Sequence, residues 1–329
     1  MSVPLPHFVQ IEPVGQCNLA CRMCPVTLRE DGGPGKPPAF MPFETFTRLI
    51  DQLPDLTELH LQGLGEPLLH PRFFDMVAYA AARGIEVSTN TNLTALSPRR
   101  AEQSVRSGLA RMHMSLDAAD PAAYEYLRVG ARFDRVLRNL GLLVEAKRRC
   151  GALFPELRLV AVLMRRTLDG LPALVRFAHQ HGVAVLSVQH LAHDFTESTL
   201  PEKYAPMREF VDAESVLQVD ASHVAGVFER ASALAIELGV ELRLPRISNE
   251  GKPRRGCDWP WRGAYVAYSG QAMPCCMVAT PDRVNFGNMA RDGVERIWDN
   301  DAYNDFRERL ASDAPPEICS GCAVYRGVF

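Results

Sequence analysis

Three cysteines within eight residues, Cys17-Asn18-Leu19-Ala20-Cys21-Arg22-Met23-Cys24, constrain this chain more than any other stretch. Their C-x3-C-x2-C spacing has no fourth thiol nearby; the next is Cys150. A [4Fe–4S] cube offers four irons to thiolates, and electron-transfer ferredoxins fill all four with Cys. Three thiolates on one loop leave one iron open to a small molecule. Structural zinc wants four ligands, commonly as two closely spaced pairs, and buried packing gives no reason for this spacing.

The chain around the motif is that of an ordinary globular protein, with 329 residues, 47% of them apolar and 23% charged. That length holds one large core and a satellite. The net charge of −3 is spread over mixed-sign segments, so no nucleic-acid or membrane partner is expected. No apolar run reaches the roughly 18 residues of a membrane span. The start, Met1 to Pro6, lacks the basic and apolar regions of a signal peptide. Nine Cys without an export signal point to metal or redox use in the cytoplasm.

Periodicity supplies the scaffold. The stretch 7–14 alternates as a short strand, and the cysteine loop leaves its end. A Gly/Pro-rich loop over 31–42 follows. Helices over 43–53, 72–83, 98–107, 133–149 and 169–181 then lead to strands 56–61, 85–89, 110–116, 157–163 and 183–188. Six strands alternating with helices imply parallel pairing with right-handed crossovers, in a barrel or a doubly wound sheet. In either fold, ligands sit at the carboxyl ends of strands.

Those ends are consistently polar. Strand two runs into Gln62-Gly63-Leu64-Gly65-Glu66-Pro67, where glycines let backbone approach a ligand and Glu66 or nearby carbonyls suit an ammonium group. Strand three ends Ser88-Thr89-Asn90-Thr91-Asn92 and strand four His113-Met114-Ser115-Leu116-Asp117, groups suited to a ribose or an amino acid. Arg128 follows, able to fork onto a carboxylate. Cys150, at the end of a basic helix, reads as a bystander.

Residues 191–256 differ in character: a polar stretch (His193, Asp194, Thr196, Glu197, Ser198), a helix over about 222–238, a strand over 240–244 and a hinge at 251–256. Beyond lie Cys257, the G-x4-C segment Gly270 to Cys275, its neighbour Cys276, and Cys319-Ser320-Gly321-Cys322. Cys257, Cys275, Cys319 and Cys322 form a closed set of four thiolates, suited to a second [4Fe–4S] cluster or to zinc. Cys275 and Cys276 do not readily share one metal, and the G-x4-C spacing favours Cys275.

Cys17/Cys21/Cys24 followed by Gly63–Pro67 resembles the radical S-adenosylmethionine superfamily. The tail is similar to the twitch domain, a shortened SPASM auxiliary-cluster domain, with Cys257-Asp258-Trp259-Pro260-Trp261, Phe286-Gly287-Asn288-Met289, Ile297-Trp298 and Arg307 continuing the pattern. The resemblance implies an α/β fold: a partial (β/α)6 barrel over 1–190, a bridging region over 191–256, and a twitch domain over 257–329 built from a β-hairpin plus helix. It implies S-adenosylmethionine and two [4Fe–4S] clusters as cofactors. Cys17, Cys21 and Cys24 would hold the catalytic cluster, and Cys257, Cys275, Cys319 and Cys322 the auxiliary one. Gly65 and Glu66 would hold the methionine amino group, Ser115 and Asn90 the ribose or carboxylate side, and Arg128 the carboxylate. Met23 stands where an aromatic residue commonly helps hold adenine. Leu64 replaces the first glycine of the family's G-G-E-P wording. Only seven residues follow Cys322, so one auxiliary cluster is expected, not two.

The reaction implied begins with reductive cleavage of S-adenosylmethionine, at iron–sulfur potentials that reach about −700 mV. Electrons would come from a flavodoxin or ferredoxin. With Cys17 so early there is no room for a leader-binding domain, which tilts the expectation to a polar small molecule: a sugar or aminocyclitol dehydrogenated with the auxiliary cluster as electron acceptor. The alternative is a peptide epimerase or cross-link former, in which Cys276 or Cys150 could return a hydrogen atom. A non-catalytic electron carrier would leave the three-Cys motif unexplained.

Overall fold

The computed structural model describes residues 3–37, 39–191, 195, 197–247, 256–278 and 280–327. Six parallel strands lie side by side in chain order: β1 (Phe8–Ile11), β2 (Glu58–Leu61), β3 (Glu86–Thr91), β4 (Arg111–Ser115), β5 (Glu156–Leu163) and β6 (Val185–His190). Between them run α1 (Phe43–Asp51), α2 (Phe73–Ala81), α3 (Pro98–Arg106), α4 (Pro121–Leu127) with α5 (Phe133–Cys150), and α6 (Leu171–Gln180). This is the expected partial (β/α)6 barrel, and its sheet stays open.

Local chemistry sets the helix ends. The Ser97 hydroxyl accepts from Arg100 N to start α3, and the Asp120 carboxylate accepts from Ala123 N to start α4; each helix has proline at its first position. Gly151, at φ +57°, ends α5 in the left-handed conformation that a side chain disfavours. Phe46, Leu49 and Ile50 form the buried face of α1.

Both edges extend the six strands. After α7 (Ala205–Glu214) and α8 (Ala221–Leu238), β7 (Glu241–Arg243) pairs in parallel with β6, so the strand expected over 240–244 joins the barrel sheet. At the other edge β8 (Gly263–Val266) pairs in parallel with β1, and β9 (Ala272–Met273) turns back antiparallel on β8. The C-terminal hairpin is therefore an edge of the same nine-stranded sheet. Sequence reading treats it as a separate unit because pairing over such a separation leaves no local trace. Most of the expected hinge, 251–255, and His193, Asp194 and Thr196 lie outside the described residues.

Alternation along the strands positions the site. Val9, Ile11, Leu59, Leu61, Met112 and Met114 are buried in the apolar core. The residues between them, Gln10, His60 and His113, line a cavity of about 650 Å³. No helix among the described residues is long and apolar enough to cross a membrane.

Candidate active site

The cysteine loop is laid against the end of α4 by main-chain bonds: Ala20 N donates to Val129 O and Arg22 N to Leu127 O, both at 2.9 Å. Cys24 N donates to Cys21 O at 3.1 Å, closing the C-x2-C turn. Two donors reach the Cys17 sulfur, Leu19 N at 3.5 Å and Asn92 Nδ2 at 3.7 Å. Burial pushes the Cys24 thiol up to about 12 and Cys17 higher still. Burial also raises Cys21, against the pull of the neighbouring Arg128 guanidinium. Uncoordinated, these thiols stay protonated at neutral pH; a metal has to displace the proton. Donors aimed at sulfur are what a cluster ligand uses, so the loop fits a bound cluster.

Every residue expected at the catalytic cluster and S-adenosylmethionine lines the same cavity: Cys17, Cys21, Cys24, Met23, Gly65, Glu66, Asn90, Ser115 and Arg128. Gly65 is required by close approach. A Cβ there would lie 2.1 Å from Val14 O and 2.6 Å from Gln16 O, backbone atoms that no side-chain shift relieves. Glu66 N donates to Gln16 O at 2.8 Å, so this turn and the cysteine loop are one unit. Gly65→Ala is expected to lower the rate of 5′-deoxyadenosine release about a hundredfold; a wild-type rate would show that the turn tolerates displacement.

The Glu66 carboxylate is buried and mostly taken by the protein. Its Oε1 accepts from Thr91 Oγ1 at 2.7 Å and Leu68 N at 3.1 Å, and its Oε2 from Asn92 N at 2.8 Å. Of four lone-pair positions, one on Oε2 is left for an ammonium group. Burial pushes this carboxyl above the usual range. Arg128 Nε donates to Asp117 Oδ2 at 2.7 Å, while Asp117 Oδ1 accepts from Val162 N at 2.9 Å. Asp117 thus orients the guanidinium between Cys21 and the cavity. Asn90 is paired with His113, Nδ1 to Oδ1 at 2.8 Å.

The second cysteine set also assembles. The Cys275 thiol lies close enough to feel Cys276, Cys322 and Cys319, and Cys276 close enough to feel Cys322 and Cys257; burial and these like charges raise both. Cys322 N donates to Cys319 O at 3.1 Å, the same turn as in the first motif. Arg307 braces the region, donating from Nε to Pro260 O at 2.8 Å and from Nη1 to Trp298 O at 2.7 Å. Among the described residues no three His, Cys, Asp or Glu groups converge tightly enough for one metal ion; a cubane holds its thiolates on separate irons. Cys276 lines the cavity and Cys275 does not, while Cys150 is exposed at the end of α5.

Two features escape sequence reading. One is a buried network in which Arg29 Nη1 donates to Glu12 Oε1 at 3.0 Å, Glu12 Oε1 accepts from Leu64 N at 3.0 Å, and Arg29 also forks onto Asp31, which accepts from the Tyr268 hydroxyl. It joins the barrel, the glycine turn and the C-terminal hairpin. The other is the extension of the polar row from His113, named at its strand end, to His60 and Arg158 on the cavity wall. Its signal is a polar residue at alternate positions of strands that are covered on their other face.

Comparison with known proteins agrees with this geometry. Residues 11–155 match the radical SAM superfamily, and residues 257–323 match SPASM, an iron–sulfur cluster-binding domain. A tungsten-containing aldehyde ferredoxin oxidoreductase cofactor-modifying protein of Pyrococcus furiosus is 24% identical, over 96% of this chain and 87% of its own. A PqqA peptide cyclase of Xanthomonas campestris pv. campestris is 26% identical, over 98% of this chain and 80% of its own. Among solved structures, Streptococcus suis SuiB bound to S-adenosylmethionine aligns with a TM-score of 0.70 at 16% identity, covering 98% of this chain and 72% of that one.

Proposed function

Since this chain belongs to the radical SAM superfamily and carries a C-terminal iron–sulfur SPASM domain, we propose that it acts on a peptide held between its two cysteine sets, either as an oxidoreductase that cross-links a residue or as an epimerase. The enzyme uses S-adenosylmethionine and two [4Fe–4S] clusters. A reduced cluster held by Cys17, Cys21 and Cys24 would supply the electron for reductive cleavage of S-adenosylmethionine and so start hydrogen abstraction from the substrate.

The protein's part is binding, orientation and exclusion of water. Cys17, Cys21 and Cys24 hold the first cluster. Arg128 and Ser115 take the methionine carboxylate, the remaining lone pair of Glu66 takes the amino group, Gly65 admits the ligand to the backbone, and Met23 and Asn90 border the nucleoside. Cys257, Cys275, Cys319 and Cys322 hold the second cluster, and Trp259, Tyr265 and Val324 wall the cavity on that side. Boundaries near 190 and 256 divide the barrel, bridging and cluster-binding segments in this reading. The reductant is a flavodoxin or ferredoxin.

What carries the peptide reading is the span of the likeness to a peptide cyclase, 98% of this chain. A specific observation favours a second reading. The inner cavity wall, with Gln10, His60, His113, Ser187 and Gln189, suits a hydroxyl-rich ligand, as in dehydrogenation of a sugar or aminocyclitol. Anaerobic turnover of the reconstituted enzyme against panels of peptides, sugars and aminocyclitols separates the two. The expected result is 5′-deoxyadenosine release together with a peptide that has lost two hydrogens, or that keeps its mass and gains deuterium from solvent. An oxidised cyclitol or sugar with every peptide unchanged would overturn it.

A further inference from the structure

The cavity has two chemically different ends. At the strand carboxyl ends it holds the cysteine loop and Glu66, the sole carboxylate among the described lining residues. On the opposite wall it holds Arg158, near the start of β5, and Arg243, the last residue of β7. Arg158 lies about 13 Å along its strand from Val162, so it faces the far side of the space. Both arginines have carboxylate partners, but those partners do not line the cavity. Arg158 Nη2 donates to Glu156 Oε2 at 2.7 Å, and Arg243 Nε to Glu241 Oε1 at 2.7 Å. The glutamates lean outward: the Glu156 side chain is 39% exposed against 18% for Arg158.

The Arg158 Nε is sealed from solvent and donates to nothing. Guanidinium N–H groups without a partner are uncommon in buried settings because water has been given up without replacement. Arg158 is paired with Glu156 on its outer side, and the groups beside it on the cavity wall bring no further negative charge. His113 sits opposite Arg158 across the β4–β5 pairing, and burial together with Arg158 and Arg111 holds its imidazole neutral, down at about 4. His60 is likewise neutral, at about 3, through burial and the nearby His113. The wall therefore offers two neutral imidazoles and two arginines, one with a donor pointing at no acceptor.

We propose that Arg158 is a specificity residue that binds a carboxylate of the substrate at the inner end of the cavity, with Arg243 adding to the field. Resting on the peptide reading, this assigns the substrate class as a peptide with an acidic side chain or a free carboxyl terminus next to the residue that reacts. A planar carboxylate matches the guanidinium fork, which a hydroxyl or an amide does not.

The test is binding of two capped amino acids, N-acetylglutamate N-methylamide and N-acetylglutamine N-methylamide, to the reconstituted enzyme saturated with S-adenosylmethionine. The carboxylate is expected to bind at least about tenfold more tightly than the amide. Arg158→Met should erase the difference and Arg158→Lys should keep part of it, with S-adenosylmethionine binding measured alongside as a check on folding. Glu156→Gln, which frees Nη2, should strengthen the carboxylate probe and serves if Arg158→Met does not fold. Equal binding of the two probes, a preference that survives Arg158→Met, or a Glu156→Gln enzyme with unchanged affinity would overturn the assignment. Because binding is read without turnover, the two readings fail separately. Peptide modification that persists without any carboxylate preference sinks the role of Arg158. An Arg158-dependent preference in an enzyme that modifies no peptide sinks the peptide reading.

Discussion

Cys21→Ala is expected to abolish 5′-deoxyadenosine formation while leaving the fold and the second cluster in place. Two thiolates cannot hold the cube that three were arranged to hold, so reconstituted iron and sulfide should drop from about eight of each per chain to about four. The loop itself should survive. Its attachment to α4 runs through main-chain bonds from Ala20 and Arg22, and removing one sulfur from a buried position opens little space. Metal analysis, far-ultraviolet circular dichroism and a single-turnover assay would be read together. An enzyme that keeps about eight irons and still cleaves S-adenosylmethionine would refute the ligand assignment. The same replacement at Cys322 should reverse the pattern, with the first cluster retained and the product of the proposed peptide reaction lost.

Arg128→Met is expected to cost about 3–5 kcal/mol of stability, because it leaves the Asp117 carboxylate buried without its cation. Asp117 is fully buried and Arg128 nearly so, with the pair at 2.7 Å. The Val162 amide stays with Asp117 Oδ1, but one amide does not replace a guanidinium. The double variant Asp117→Asn/Arg128→Met should recover most of the loss, since removing both charges removes the desolvation that the pair had to offset. It should not recover affinity for S-adenosylmethionine, because the fork proposed to meet the methionine carboxylate is absent from both variants. Urea unfolding and equilibrium dialysis check the two halves. A single variant that unfolds like the wild type, or a double variant as unstable as the single one, would show that the pair is not an isolated buried couple.

The elements readable from sequence were those whose periodicity is local. Strands and helices up to β6 sit within a few residues of their expected positions because each helix repeats apolar residues every three or four places, and each strand is bounded by turn residues. α4 escaped despite a visible start, Asp120-Pro121, because its buried side consists of little more than Tyr124 and Leu127. α7 escaped inside a stretch whose polar residues suggest a linker. Contacts between distant residues carried no signal at all. Arg128 was legible as a fork for a carboxylate, but its partner Asp117, across a turn, was not. Arg158 was not singled out, since a strand with one polar face usually turns that face to water. Here the sheet curls over that face, and the polar row becomes a cavity wall. The cysteines were legible for the opposite reason: few folds need three thiols at that spacing, whatever surrounds them.

The pairing of β8 with β1 has a consequence for how the protein is made. Phe8 waits for Gly263, and the Trp298 indole donates to Pro4 O at 2.9 Å. β1 therefore acquires one of its two neighbours only after β2 to β7 have all been made. Contacts of such separation are slow to form and leave partly built sheet edges exposed meanwhile. The cysteine loop hangs from that strand, and the Glu12 carboxylate at its end waits for Tyr268 N at 3.4 Å. The cavity beside the three cysteines is therefore completed late, and a chain truncated before β8 would present its three thiols on an unfinished edge.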